Sequence, residues 1–160
     1  MKYFFCLLPC LLSFLILFSC NSNAARANTT AKIGDFAPDF SLKDFAGNTV
    51  NLSAYKDKVV LLEFWAAWCP PCKASISALI KMQGRNNAKG STLIGVSEFS
   101  QTYHVNYPVL KENTDIARQY TVRNIPVSFL IDKRGGIANA NTGFTDDLNN
   151  EISPQIEKII

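Results

Sequence analysis

From residue 33 to residue 160 the chain alternates short apolar runs with amphipathic segments, and the order of these blocks predicts an α/β domain. Phe40 and Leu42 alternate with polar residues, as do Val50 and Leu52, with the turn-like Ala46, Gly47 and Asn48 between them. That is the pattern of a β-hairpin. Residues 53–58 form a short connection to residues 59–64, Val-Val-Leu-Leu-Glu-Phe. This run has the length and β-branched character of a strand buried on both faces. Residues 73–82 hold no Gly or Pro, and Ala74, Ile76, Ala78, Leu79 and Met82 suit a helix. A polar, turn-rich stretch at 84–90 then leads to a second buried strand at 92–96. Strand, helix and strand in this order form a parallel crossover unit.

Further on, residues 108–110 are short and extended, and residues 114–120 read as a short helix with Thr114 at its start and Asp115 in its first turn. Residues 127–131 are a strand, 132–136 a hairpin turn and 137–140 the return strand. A closing helix over 145–160 places Leu148, Ile152, Ile156 and Ile159 on one face, and Pro154 is expected to kink or split it. Residues 98–106, which hold the single histidine, His104, follow no such pattern. No internal repeat or second domain is visible.

The first twenty residues stand apart. Lys2 precedes residues 3–18, apolar but for a Pro and a Ser, and the run ends Leu17-Phe18-Ser19-Cys20. A short positive region, an apolar run and a small residue before a cleavage point read as a secretory signal over 1–20. Its ending resembles the lipobox of bacterial lipoproteins, which implies lipidation of Cys20. Cleavage after Ala25-Arg26-Ala27 and an uncleaved anchor are the competing readings. All three put the domain outside the cytoplasm. Residues 21–32, rich in Asn, Ala and Thr, read as a flexible tether. The remaining 33–160 is room for one domain of about 130 residues. The formal net charge of +3 is spread along the chain, which leaves no footprint for nucleic acid or a polybasic membrane patch.

Five cysteines divide unevenly: Cys6, Cys10 and Cys20 lie in the leader, and Cys69 and Cys72 in the domain. A structural disulfide scaffold would scatter pairs through the domain. Here both thiols sit where a buried strand hands over to a helix N-terminus, whose free N–H groups and dipole favour a thiolate. Two intervening residues let the sulfurs form a disulfide or hold a soft metal together. A tetrahedral metal site would need further ligands, and His104 is far away in sequence.

Trp68-Cys69-Pro70-Pro71-Cys72-Lys73 after a strand, with Val122-Arg123-Asn124-Ile125-Pro126-Val127 later, resembles the thioredoxin superfamily. Ala37-Pro38-Asp39-Phe40-Ser41-Leu42, Leu52-Ser53 and Phe129-Leu130-Ile131-Asp132 narrow the likeness to the exported TlpA/ResA-type thiol–disulfide oxidoreductases. Three features depart from that pattern. Ser77 stands where a proline is usual, residues 98–106 are short for the group's helical insert, and the peroxidatic Pro-x-x-x-Thr-x-x-Cys pattern of peroxiredoxins is absent around Cys69.

The resemblance implies a thioredoxin-like α/β sandwich, with a central mixed sheet, helices on both faces and an N-terminal β-hairpin. It implies an exposed nucleophile at Cys69, a buried resolving thiol at Cys72, and a buried acid at Glu63 that moves a proton for Cys72. Pro126 is expected to be cis and, with Ile125 and Trp68, to receive the substrate. Pro70 and Pro71 lack N–H groups, so the Cys69 thiolate is stabilised only by the Cys72 N–H and the dipole, which favours a reductant. The implied partners are protein dithiols or disulfides, for example apocytochrome c cysteines, and a membrane electron donor; no cofactor or metal is implied, and the chain is expected to be a monomer. Delivery of Cu(I), a soft ion that suits two thiolates, is the alternative. A binding module without exchange chemistry is a third reading.

Overall fold

The computed structural model describes residues 31–98, 103–143 and 148–160. The signal segment, Cys20 and all but the last two residues of the tether lie outside the described residues. Among the described residues no helix is long and apolar enough to cross a membrane.

The hairpin forms where the alternation places it, from β1 (Ser41–Lys43) and β2 (Thr49–Asn51), antiparallel with Leu42 opposite Val50. The connection after it coils into a short 3₁₀ turn, Leu52–Tyr55. The main sheet comprises β3 (Val59–Phe64), β4 (Ser91–Ser97), β5 (Val109–Lys111), β6 (Val127–Ile131) and β7 (Ile137–Thr142). Its order is β5-β4-β3-β6-β7; β3 runs parallel to β4 and antiparallel to β6, so the sheet is mixed. Every residue of β3, β4 and β6 is buried, as mainly apolar runs require of strands covered on both faces.

Among the described residues three α-helices join the strands: α1 (Pro70–Asn86), α2 (Thr114–Gln119) and α3 (Leu148–Ile159). On one face of the sheet, Val59, Leu61, Leu93 and Leu130 pack with Ile76, Leu79 and Met82 of α1 and Ile152 and Ile156 of α3. On the other, Val60, Leu62, Ile94 and Phe129 pack with Ile116 and Tyr120 at α2 and with Phe40 and Leu42 of the hairpin. Helices on both faces of a mixed sheet, with an N-terminal hairpin, form the thioredoxin-like sandwich.

Some boundaries differ from the sequence reading. Helix α1 begins three residues before 73, because proline is well placed in a first turn where its missing N–H has no partner to lose. It also runs through Gly84 to Asn86. There the Gln83 side-chain oxygen accepts the Leu93 N–H at 2.8 Å, and the Asn86 carbonyl accepts the Ser91 hydroxyl at 3.2 Å, tying the last turn to β4. The N-cap of α2 is Asn113 rather than Thr114; its Oδ1 accepts the Ile116 N–H at 2.8 Å. Helix α3 is continuous through Pro154 rather than split, anchored on either side by the buried Ile152 and Ile156.

Candidate redox site

The central strand β3 delivers the chain to one end of the sheet, and residues 65–69 turn it into α1. The Cys69 backbone is extended, with φ −86° and ψ 110°, and Cys69 occupies the N-cap. An N-cap side chain ordinarily accepts from the N–H groups two and three residues on. Pro71 has none, so the Cys72 N–H alone points back, 3.3 Å from Cys69 Sγ. Cys69 and Cys72 are joined as a disulfide with Cα atoms 5.2 Å apart, inside the usual range for such a bridge. Among the described residues no group of three or more His, Cys, Asp and Glu side chains comes together around a point where an ion could sit.

Cys72 is fully buried, as the reading required, and its carbonyl accepts the Ser75 hydroxyl at 2.7 Å. Cys69 corrects the reading. It is 3% exposed rather than open to solvent. The cover comes from the 122–126 loop, whose Ile125 carbonyl oxygen lies 3.8 Å from Cys69 Sγ. The Ile125–Pro126 peptide in that loop is cis, as the resemblance implied.

Trp68, beside Cys69, is 65% exposed, which is far outside the norm for tryptophan. It forms one wall of an open groove of about 410 Å³ that continues along Ala66, Val122, Arg123 and Ile125 to Glu98 and Glu112. Burial and the nearby Glu98 charge raise the Glu112 carboxyl above its ordinary range. Trp68 and Ile125 meet in this groove. Glu98 and Glu112 had no signal in the sequence, because charged residues in distant segments look like ordinary surface until the fold gathers them, and Arg123 was visible only as a member of the 122–127 motif. His104 lies elsewhere, in a second open cavity with Phe45, Tyr103 and Tyr107.

Glu63 sits inside β3, paired with Gly95 of β4 and Ser128 of β6, and is 3% exposed. Alternation places it on the same face as Leu61 and Trp65, the face that α1 covers with Cys72. Burial in this apolar setting pushes its carboxyl up from an ordinary 4.5 to about 8. An acid with that affinity exchanges a proton near neutral pH.

Comparison with known proteins gives a consistent picture. The sequence model of the AhpC/TSA family matches residues 33–140. The thioredoxin-like protein YneN of Bacillus subtilis is 33% identical over 122 residues, covering 69% of this chain and 71% of that protein. The thiol–disulfide oxidoreductase ResA of Geobacillus kaustophilus is 31% identical over 132 residues, 76% of each chain. Among solved structures, a Chlorobium tepidum protein assigned as the thiol:disulfide interchange protein DsbE superposes with a TM-score of 0.75 at 31% identity, over 81% of this chain and 99% of that one. The exposed lipoprotein thioredoxin of Streptococcus pneumoniae gives 0.66 at 26% identity, over 75% and 98%.

Proposed function

The chain belongs to the AhpC/TSA family, and we propose that it is an exported thiol–disulfide oxidoreductase that reduces protein disulfides through Cys69 and Cys72. The observation that carries this reading is the placement of the Cys69–Cys72 disulfide at a helix N-terminus, beneath the Ile125 carbonyl and beside an exposed tryptophan and an open groove. A structural role explains that placement poorly, since a bridge closing so small a loop removes little entropy from the unfolded chain.

In the reduced protein the Cys69 thiolate attacks one sulfur of a substrate disulfide, and the other substrate sulfur leaves as a thiolate. Cys72 loses its proton to Glu63 and attacks Cys69 Sγ. The Cys69–Cys72 disulfide forms, and the second substrate sulfur leaves. Two electrons have passed to the substrate, and a membrane dithiol donor returns them to the pair. Trp68 and the groove beside it hold the polypeptide around the target disulfide, while Ile125 and Pro126 offer backbone for strand-like pairing. Apocytochrome c cysteines are the substrate suggested by the TlpA/ResA likeness. The chain acts as a monomer at the periplasmic face of a bacterial membrane, anchored by lipid on Cys20.

One experiment tests both halves of this reading. Expressed as the full chain, Cys72→Ser should accumulate in the membrane fraction as mixed disulfides through Cys69, with an acyl mass on Cys20. Absence of mixed disulfides would contradict the exchange chemistry. A mature chain starting at Asn28 without acyl mass would contradict the anchoring.

A further inference from the structure

Behind the redox disulfide, the same face of the sheet holds polar groups that the exchange steps leave unused. Trp65, two residues after Glu63 on that face, is 2% exposed, and Tyr107 is 6% exposed. The Trp65 indole N–H and the Tyr107 hydroxyl are both buried without a hydrogen-bond partner among the described residues. Buried donors nearly always find partners, and two orphans side by side point to a shared ligand.

Gly95 fixes where they converge. It is the β4 residue paired with Glu63, one strand spacing of about 4.8 Å away. A Cβ at Gly95 would stand 2.8 Å from Trp65 Nε1 and 3.2 Å from Tyr107 Cε2. The indole and phenol edges therefore lie directly over the residue beside the buried acid, and only glycine admits both. Among the described residues, the other polar or titratable groups packed on this face near them are Cys69 at the N-cap of α1, Cys72 and Ser75 within α1, Ser128 from β6, and Tyr103, whose ring packs on Trp65 at 5.9 Å. Further along α1, the uncharged Gln83 and Asn86 are bonded to Leu93 and Ser91 of β4. The buried residues of α3 there, Ile152 and Ile156, bring no charge. Burial and the Glu63 charge hold the Tyr107 phenol well above its ordinary range, so it stays a donor.

We propose that Trp65 and Tyr107 are positioning residues that hold one ordered water against the Glu63 carboxyl and thereby set its proton affinity. The water accepts from the indole N–H and the phenol O–H and donates to a Glu63 oxygen, the three bonds typical of an internal water. Tyr107 also lines the open cavity of about 400 Å³ with Tyr103 and His104, which gives the water a way in. Donation to the carboxylate offsets part of the cost of burying it, keeping Glu63 able to ionise near neutral pH.

The inference deepens the reading that Glu63 takes the Cys72 proton, and it is testable in the oxidised protein, where no thiol titrates. With ¹³C labels at the tyrosine Cζ and glutamate Cδ positions, the Tyr107 resonance should move with the same midpoint as the Glu63 carboxyl, and Glu63→Gln should abolish that step. Tyr107→Phe should raise the Glu63 midpoint by about one pH unit, a tenfold gain in proton affinity. A Tyr107 resonance flat across the Glu63 titration, or a Glu63 midpoint unmoved in Tyr107→Phe, would overturn the inference. Should Tyr107→Phe not fold, the comparison of wild type with Glu63→Gln decides alone. If instead Glu63 does not serve Cys72, Glu63→Gln leaves disulfide exchange at its wild-type rate while the Tyr107–Glu63 coupling persists.

Discussion

Glu63 is the residue at which burial and chemistry conflict most sharply. A carboxyl moved from an ordinary 4.5 to about 8 binds its proton more tightly folded than unfolded. Its contribution to stability is therefore fully present below about pH 4.5 and is lost as pH rises through about 8. Across that window the wild type should lose on the order of 3–5 kcal/mol relative to Glu63→Gln, which cannot ionise. Urea denaturation of both proteins at pH 5 and pH 9 checks this; parallel stabilities at the two values would show that Glu63 titrates normally. Glu63 was legible in the sequence because an acid inside an apolar run has few bland explanations. The burial of Cys69 was not, because its cover comes from Ile125, 56 residues further along the chain.

At the scale of the element, α1 decides how reactive the sulfur is. Its N-cap is Cys69, and its first two residues are prolines, so one backbone N–H reaches Sγ where a different sequence could offer two. Pro71→Ala restores a donor at the second helical position. It should lower the Cys69 pKa by about one unit and raise the reduction potential by about 30 mV, because the reduced, thiolate form gains a charge-assisted hydrogen bond. Alkylation of Cys69 as a function of pH reports the first change; an unmoved profile would mean that Sγ takes its stabilisation elsewhere. The strands were legible almost to the residue, since apolar runs bounded by turn residues have one reading. Helix ends were less so. Gly84 and Pro154 look like breaks in a one-dimensional pattern, yet Gln83, Asn86, Ile152 and Ile156 tie both helices to the sheet past those residues.

On the scale of the molecule, a sheet covered on both faces leaves one pole for chemistry, where β3 ends and α1 begins. The disulfide, the cis Ile125–Pro126 peptide and the exposed Trp68 meet there, brought from segments that the sequence shows only as two separated motifs. The motifs made the pole legible; the groove running from Trp68 to Glu98 and Glu112 was not, because nothing in the chain order places those segments side by side. The direction of electron flow is likewise a property of the whole site. One N–H on Cys69 Sγ and no imidazole between the cysteines both disfavour the thiolate, as does the buried acid on the same face once it ionises, against a helix dipole worth only about 0.3–1 kcal/mol. Potentials in this class of motif run from about −270 mV for thioredoxin to about −120 mV for the strongest oxidants. Equilibration of the purified protein with glutathione and dithiothreitol buffers, followed by Trp68 fluorescence, measures the potential directly. A reductase requires a value of roughly −270 to −210 mV, whereas one above about −150 mV would make the Cys69–Cys72 pair an oxidant and contradict the proposed function.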